Sequence, residues 1–105
     1  MNKMYSYLGL AQRAGQVVSG EQAVLGGVMR GKVVLMLIAS DASSNTHSKF
    51  RSLAQNHNVK YYVYGEKDIL GQTIGKSPRS VLGITDRNFA NVIQAQIRES
   101  VQEKN

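Results

Sequence analysis

The chain has 105 residues, of which 42% are hydrophobic and 19% charged, and it contains no cysteine. This length and composition predict one globular domain, residues 1–105, and the missing thiols exclude disulfide bonds and cysteine-ligated metals. The net charge of +6 favours a polyanionic partner such as a nucleic acid. The longest apolar run, residues 33–39, is too short to span a bilayer, so we expect a soluble cytoplasmic protein without a membrane partner.

The first part of the chain predicts a helix, a short strand and a second helix. Apolar residues at helical spacing place the first helix over residues 2–14, and Gly15 ends it. Residues 16–19 form a short extended segment. Ser19 then caps the second helix, and Gln22 three residues later completes a capping box.

The remainder of the chain alternates strands with helices. Residues 33–39 are apolar without alternation, which predicts a strand covered on both faces. Two more strands are predicted over residues 59–64 and 80–85. A helix follows each of the three: one capped by Ser43, Ser44 or Asn45, one over residues 66–75, and one opened by Asp86, with Ile69 and Val92 among the inward side chains. This alternation predicts a small sheet between two layers of helices.

No set of residues suited to catalysis is visible in the sequence. The segment GQTIGKS, residues 71–77, is one residue too short between its glycines for a phosphate-binding P-loop, and Gly75 is better explained as a helix end. His47 and His57 are ten residues apart, which is not a metal-ligand spacing. We therefore predict a protein that is not an enzyme and that needs no cofactor or metal.

Six segments run through almost the whole chain: LGLAQRA (8–14), VVSGEQ (17–22), DASSNT (41–46), VKY (59–61), LGQTIGK (70–76) and ITDRNFA (84–90). In this order they resemble the kink-turn RNA-binding ribosomal protein family, the L-seven-Ae and L-thirty-e superfamily, and in particular its small bacterial YlxQ-type branch. The resemblance implies an α/β fold, a three-layer α/β/α sandwich with a small mixed four-stranded sheet. It also implies a non-catalytic, ribosome-associated monomer that recognises structured, kink-turn-like RNA, with ribosomal RNA and ribosomal proteins as partners.

The resemblance further implies three RNA-contacting segments. They are the start of the second helix, the loop after the central strand, and the loop before the last strand. In the family the first carries a Gly-x-Asn-Glu-x-x-Lys motif that reads sheared G·A pairs and phosphates. On this chain Ser19 takes the Gly position, Glu21 the Asn, Gln22 the Glu and Leu25 the Lys. Gln22 is a plausible substitute, because an amide both donates and accepts hydrogen bonds.

The predicted RNA-contacting residues follow from these segments. Glu21 and Gln22 are expected to read base edges, and serines near helix N-termini to hold phosphate. The third loop is basic here, so we expect it to contact phosphate rather than to stack on bases. The full predicted set is Ser19, Gly20, Glu21, Gln22, Arg30, Lys32, Asp41, Ser43, Ser44, Lys76, Ser77 and Arg79.

Other interpretations of the same residues remain open. A purely structural interpretation makes Ser19 and Gln22 a capping box at the start of a helix. It likewise makes Asp41 and Asn45 turn and cap residues. Arg30 and Lys32 suit a helix C-terminus in any protein. A protein-interaction module that has lost kink-turn specificity is the alternative function, and Leu25 at the Lys position favours it. A third is the RNA-recognising half of a modifying enzyme that acts in trans.

Overall fold

The computed structural model describes residues 3–103, the last three by their backbone alone. Helices and strands alternate in the order α1 (Lys3–Arg13), β1 (Val17–Ser19), α2 (Glu21–Met29), β2 (Leu35–Ile38), α3 (Ser44–Asn56), β3 (Lys60–Val63), α4 (Lys67–Thr73), β4 (Val81–Ile84) and α5 (Arg87–Glu103). Every element predicted from the sequence is present in the predicted order, with somewhat shorter strands. Asn2, which the first predicted helix included, lies outside the described residues.

The four strands form one mixed sheet in the order β1–β4–β2–β3. β4 pairs antiparallel with both β1 and β2, whereas β2 and β3 are parallel. The register places Gly83 of β4 opposite Val18 on one side and Met36 on the other. β2 and β4 are therefore the central strands, and β1 and β3 are the edges.

All four residues of β2 are buried, because helices cover both faces of the sheet. Leu35 and Leu37 pack with side chains of α1, α4 and α5. Met36 and Ile38 point the other way and pack with α2 and α3. The strand alternation thus divides the interior into two cores, one on each face. The three-layer α/β/α sandwich with a small mixed sheet is confirmed.

Two side chains predicted to face inward are exposed instead. Ile69 is 41% exposed and Val92 38% exposed. In each helix the next residue, Leu70 or Ile93, takes the buried position. Successive residues are about 100° apart around a helix, so Ile69 and Val92 point away from the sheet when Leu70 and Ile93 face it. The buried stripe of each helix is therefore narrower than the sequence suggested.

The strand directions give the sheet two distinct ends. β1, β2 and β3 all finish at the end where β4 begins. We call this the upper end, and it comprises residues 19–22, 39–46, 64–67 and 74–80. The opposite, lower end comprises residues 14–16, 30–34, 57–60 and 85–87. Within the part of the chain that the structure describes, every helix is too short or too polar to cross a bilayer.

Candidate nucleic-acid interface

The upper end brings together three segments that are far apart in the sequence. The side chain of Arg79 donates from Nε to Ser19 Oγ at 3.2 Å, across 60 residues of chain. The Gly20 N–H donates to the Val81 carbonyl at 3.0 Å, and the Ala39 N–H to the Ser80 carbonyl at 2.8 Å. The start of α2, the β2–α3 connection and the α4–β4 connection therefore share one surface, as the family resemblance implied.

Ser19 does not cap α2, so the predicted capping box with Gln22 is wrong. The N-cap is Gly20, with φ 92° and ψ 158°, and no side chain caps this helix. Ser19 remains in β1, where its backbone pairs with Leu82 and its hydroxyl accepts from Arg79. The first-turn N–H groups of α2 have no intrahelical acceptor, and no side chain caps them, which leaves them available to donate to an external oxygen.

Glu21 connects the start of α2 to the start of α3. Ser43 Oγ donates to Thr46 Oγ1 at 3.0 Å, and Thr46 Oγ1 donates to Glu21 Oε2 at 3.1 Å. Lys49 Nζ lies 3.8 Å from Glu21 Oε1. This chain of contacts orients the carboxylate, and Lys49 offsets its charge on a surface that is expected to meet phosphates.

Ser43 is the N-cap of α3, which settles the choice among three candidate residues. Its Oγ accepts from the Thr46 N–H at 3.1 Å. Ser44 is the first helical residue and is exposed beside it. Thr46 and Lys49 were not predicted as members of this surface. The only sequence signal for them was their position three and six residues after the cap, on the helix face that meets α2.

Arg79 is held by its own loop as well as by β1. Its Nη1 donates to Ser77 Oγ at 2.7 Å, to the Ser77 carbonyl at 3.2 Å and to the Pro78 carbonyl at 3.3 Å. These bonds, with the one to Ser19, fix the plane of the guanidinium. The Nη2 donors have no acceptor within the described residues. A fixed, planar fork with free donors is suited to a phosphate or a guanine edge.

Asp41 has a structural role at this end. Its Oδ1 accepts from the Lys67 N–H at 2.9 Å, at the start of α4. The preceding residue, Ser40, donates from both N–H and Oγ to the Gly65 carbonyl, at 2.7 and 2.9 Å. These bonds join the β2–α3 and β3–α4 connections. One carboxylate oxygen of Asp41 is therefore committed to α4, in keeping with the turn interpretation of this residue.

The α4–β4 connection begins as a helix end, as predicted for residues 71–77. Gly75 has φ 73°, and its N–H donates to the Gln72 carbonyl at 3.0 Å. The Lys76 N–H donates to the Gly71 carbonyl at 2.8 Å. Both bonds close α4 rather than forming a phosphate loop. Lys76 and Ser77 are exposed on the upper end next to Arg79, and Gln22 is exposed at the start of α2.

Two predicted cations, Arg30 and Lys32, lie apart from this surface. They follow the C-terminus of α2, and their backbone belongs to the lower end. The Arg30 guanidinium folds back over Gly26, where a Cβ would lie 3.2 Å from Nη1. Leu25, at the motif's Lys position, packs against the core between α2 and α3.

A tyrosine pair flanks the upper end. The rings of Tyr5 and Tyr64 lie 6.2 Å apart and are tilted by 41°. Burial raises the pKa of Tyr5, and the neighbouring Tyr64 and Glu66 raise it further. The Tyr5 phenol therefore stays neutral at physiological pH. Among residues 3–103, no group of three His, Asp or Glu side chains is arranged to hold a metal ion.

The chain is similar to known proteins over most of its length. It is 40% identical over 87 residues to the RNA-binding protein YlxQ of Bacillus subtilis strain 168, covering 83% of this chain and 87% of the relative. It is 34% identical over 88 residues to the RNA-binding protein YlxQ of Enterococcus faecium, covering 84% of each. These matches confirm the resemblance to the bacterial YlxQ-type branch.

Solved structures share the fold. A Bacillus halodurans protein of unknown function superposes with a TM-score of 0.89 at 36% identity, covering 93% of this chain and 99% of that one. A 15.5 kD RNA-binding protein of Giardia lamblia gives a TM-score of 0.75 at 22% identity, covering 92% and 83%. The second likeness shows the fold alone. A family model matches residues 2–94, and with it the chain belongs to the ribosomal protein L7Ae/L30e/S12e/Gadd45 family.

Proposed function

We propose that this protein binds structured RNA through its upper end, as a single non-catalytic domain that associates with ribosomal RNA in the cytoplasm. The observation that carries the proposal is the bond between Arg79 and Ser19, which joins two of the three predicted contact segments into one surface. The names of the two YlxQ relatives support RNA as the ligand. Proteins of this family are not enzymes, which confirms the prediction of a non-catalytic protein.

Each group on the upper end has a distinct part in this proposal. The first-turn N–H groups of α2 and the hydroxyl of Ser44 hold phosphate oxygens, because helix N-termini attract anions. Gln22, exposed and without a protein partner among the described residues, reads base edges. The oriented guanidinium of Arg79 donates to a phosphate or a guanine edge. Lys76 adds positive charge but no fixed hydrogen-bond direction.

The structure bears on how the family motif fits the start of α2. Gly20 has a φ of 92°, a backbone conformation that strongly favours glycine, whereas Ser19 lies in a regular strand. We propose that the motif's glycine corresponds to Gly20. Its Asn then falls on Gln22, its Glu on Ala23 and its Lys on Gly26, so Gln22 alone keeps a polar side chain at these three positions.

A kink-turn stem with tandem sheared G·A pairs tests this function. Fluorescence anisotropy at several salt concentrations measures its affinity, with a matched stem whose G·A pairs are replaced by Watson–Crick pairs as the control. We expect tighter binding to the kink-turn stem and a clear loss of affinity with salt. Equal affinity for both stems would remove kink-turn recognition from the proposal, and binding to neither would overturn RNA recognition by the upper end.

A protein partner is the second candidate, and the acidic side chains of the upper end favour it. Glu21, Asp41 and Glu66 lie among its cations, so this surface is not uniformly positive. Sedimentation with ribosomal particles distinguishes the two candidates. Release from the particles by ribonuclease supports the RNA, whereas retention of a bound protein after ribonuclease treatment supports the protein partner.

A further inference from the structure

The two ends of the molecule differ in charge balance. Within its residue ranges the upper end carries three carboxylates and three cations, and Lys49 lies beside Glu21 as a fourth cation. The carboxylates are Glu21, Asp41 and Glu66, and the cations within the ranges are Lys67, Lys76 and Arg79. The lower end has a single carboxylate and four cations: Asp86 against Arg30, Lys32, Lys60 and Arg87. The lower end therefore has a larger surplus of positive charge than the surface that the family resemblance implies.

A groove of about 440 Å³ lies at the lower end. It runs between the C-termini of α2 and α3 and the start of α5, and we call it the lower groove. Its cationic lining residues are Lys60 and Arg87, His57 lies beside them, and no carboxylate lines it. Val28 and Val33 form part of an apolar floor, and each is less than 5% exposed. The volume lies within the range of ligand-binding pockets.

The cations around the lower groove are free of ion pairs. Among the described residues, no carboxylate lies within 4.0 Å of Lys32, Lys60 or Arg87, and the ion pair found there is the one between Lys49 and Glu21. The one nearby carboxylate, Asp86, accepts from the Phe89 N–H at 2.9 Å and so caps α5. Unpaired cations around a groove without acidic residues give a positive potential that attracts an anion.

The position of Arg87 is not explained by the stability of the fold. It is the first residue of α5, where the helix dipole disfavours a positive charge. Lys60 lies on the edge strand β3, outside any helix, and is exposed. By contrast, Arg30 and Lys32, at and just after the end of α2, have the favourable relation to a helix C-terminus that explains such residues in ordinary proteins.

An exposed apolar side chain borders the same groove. Met29 is 62% exposed, the largest exposure among the large hydrophobic residues of the described chain, and it lines the groove beside Val33. Methionine is flexible and polarizable, and it packs well against aromatic rings. Single-stranded nucleic acid binds basic grooves through its phosphates and places the faces of its bases on neighbouring side chains, usually aromatic ones. In the lower groove the thioether of Met29 offers that apolar contact.

We propose that the lower groove binds an unpaired nucleotide of single-stranded RNA. Lys60 and Arg87 contact the flanking phosphates, and Met29 packs against the base. The choice of RNA as the occupant rests on the RNA-binding function proposed above, but the contacts involve none of the upper-end residues. The protein thereby has two RNA-contacting surfaces at opposite ends of its sheet.

A single-stranded 12-nucleotide oligouridine tests the lower groove, because it contains no kink-turn. Its binding is measured by fluorescence anisotropy over a series of salt concentrations for the wild type and for the double variant K60Q/R87Q. We expect the variant to bind about tenfold more weakly, with a salt slope smaller by about 1.4, since two phosphate contacts are lost. The Met29 methyl resonance of the wild type should shift on addition of the oligouridine.

The matched control is K3Q/R51Q, which removes the same charge from exposed positions outside both ends. An equal loss of affinity in K3Q/R51Q would show a general charge effect and overturn the groove. Absence of oligouridine binding by the wild type, or an unmoved Met29 signal, would also overturn it. All three outcomes are independent of the kink-turn stem, so the two proposals fail separately. Thermal unfolding checks the variants, and K60Q/R87Q should be no less stable than the wild type.

Discussion

Two serines that look alike in the sequence have different functions in the structure. Both precede a helix, and both were candidates for a cap or an RNA contact. Ser43 caps α3 through the Thr46 N–H, whereas Ser19 stays in its strand and holds Arg79. The difference arises because Gly20, with its positive φ, lies between Ser19 and the first turn of α2 and occupies the N-cap position itself. Sequence spacing alone does not reveal such an inserted residue.

Replacing each serine with alanine should separate these roles by stability. Ser43→Ala removes a side-chain cap, so we expect it to lower the free energy of unfolding by about 1 kcal/mol. Ser19→Ala removes no cap and should cost less than half as much. Urea denaturation followed by circular dichroism measures both. A larger loss for Ser19→Ala than for Ser43→Ala would contradict the assignment of Gly20 as the N-cap of α2.

Ser19→Ala should nevertheless weaken RNA binding. The variant keeps every charge but loses the acceptor that orients the Arg79 guanidinium from β1. We expect a severalfold weaker affinity for the kink-turn stem with an unchanged salt slope, because the number of phosphate contacts is unchanged. Arg79→Gln should lower both the affinity and the slope. Equal slopes for the wild type and Arg79→Gln would show that Arg79 does not contact phosphate.

The α4–β4 connection is positioned by close backbone packing against α4. A Cβ on Gly71 would collide with the Ser77 carbonyl and lie 2.9 Å from the Pro78 Cα. The Arg79 N–H also donates to the Lys67 carbonyl at 3.1 Å, which ties the end of this loop to the first turn of α4. The glycine thus allows the basic loop to lie directly on the helix and to present Arg79 toward Ser19.

Gly71→Ala should disturb both the fold and the RNA surface. Alanine favours a helix by up to about 1 kcal/mol, but here its methyl group must displace backbone atoms, so we expect a net destabilisation of about 1–3 kcal/mol. The displaced loop should also bind the kink-turn stem more weakly. The matched control is Gly9→Ala in α1, where the nearest atom is 3.6 Å away and no destabilisation is expected. Equal stability of the two variants would contradict the close packing.

The order of the elements was predictable because each carries its own periodic signal. The unbroken run of apolar residues around β2 predicted a strand with helices on both faces, and the structure has a separate hydrophobic core on each face. The contacts within the upper end were not predictable from those signals. The Arg79–Ser19 bond depends on strand register, and the Thr46–Glu21 bond on how α2 and α3 pack. The lower groove was invisible for the same reason, since Lys60 and Arg87 are 27 residues apart and meet only in the folded chain.

The two proposed RNA-contacting surfaces predict additive contributions to the binding free energy. The ends lie across a body that measures 33 × 30 × 26 Å, and no residue belongs to both. Sites more than about 10 Å apart without shared partners usually contribute independently to a free energy. A kink-turn stem with a 12-nucleotide single-stranded extension should therefore bind more tightly than the stem alone. On this RNA the losses of binding free energy caused by Arg79→Gln and by K60Q/R87Q should add in the combined triple variant. On the stem alone, K60Q/R87Q should weaken binding no more than the control K3Q/R51Q does, whereas Arg79→Gln should weaken it more. A strongly non-additive triple variant would show that the extension reaches the upper end instead of the lower groove.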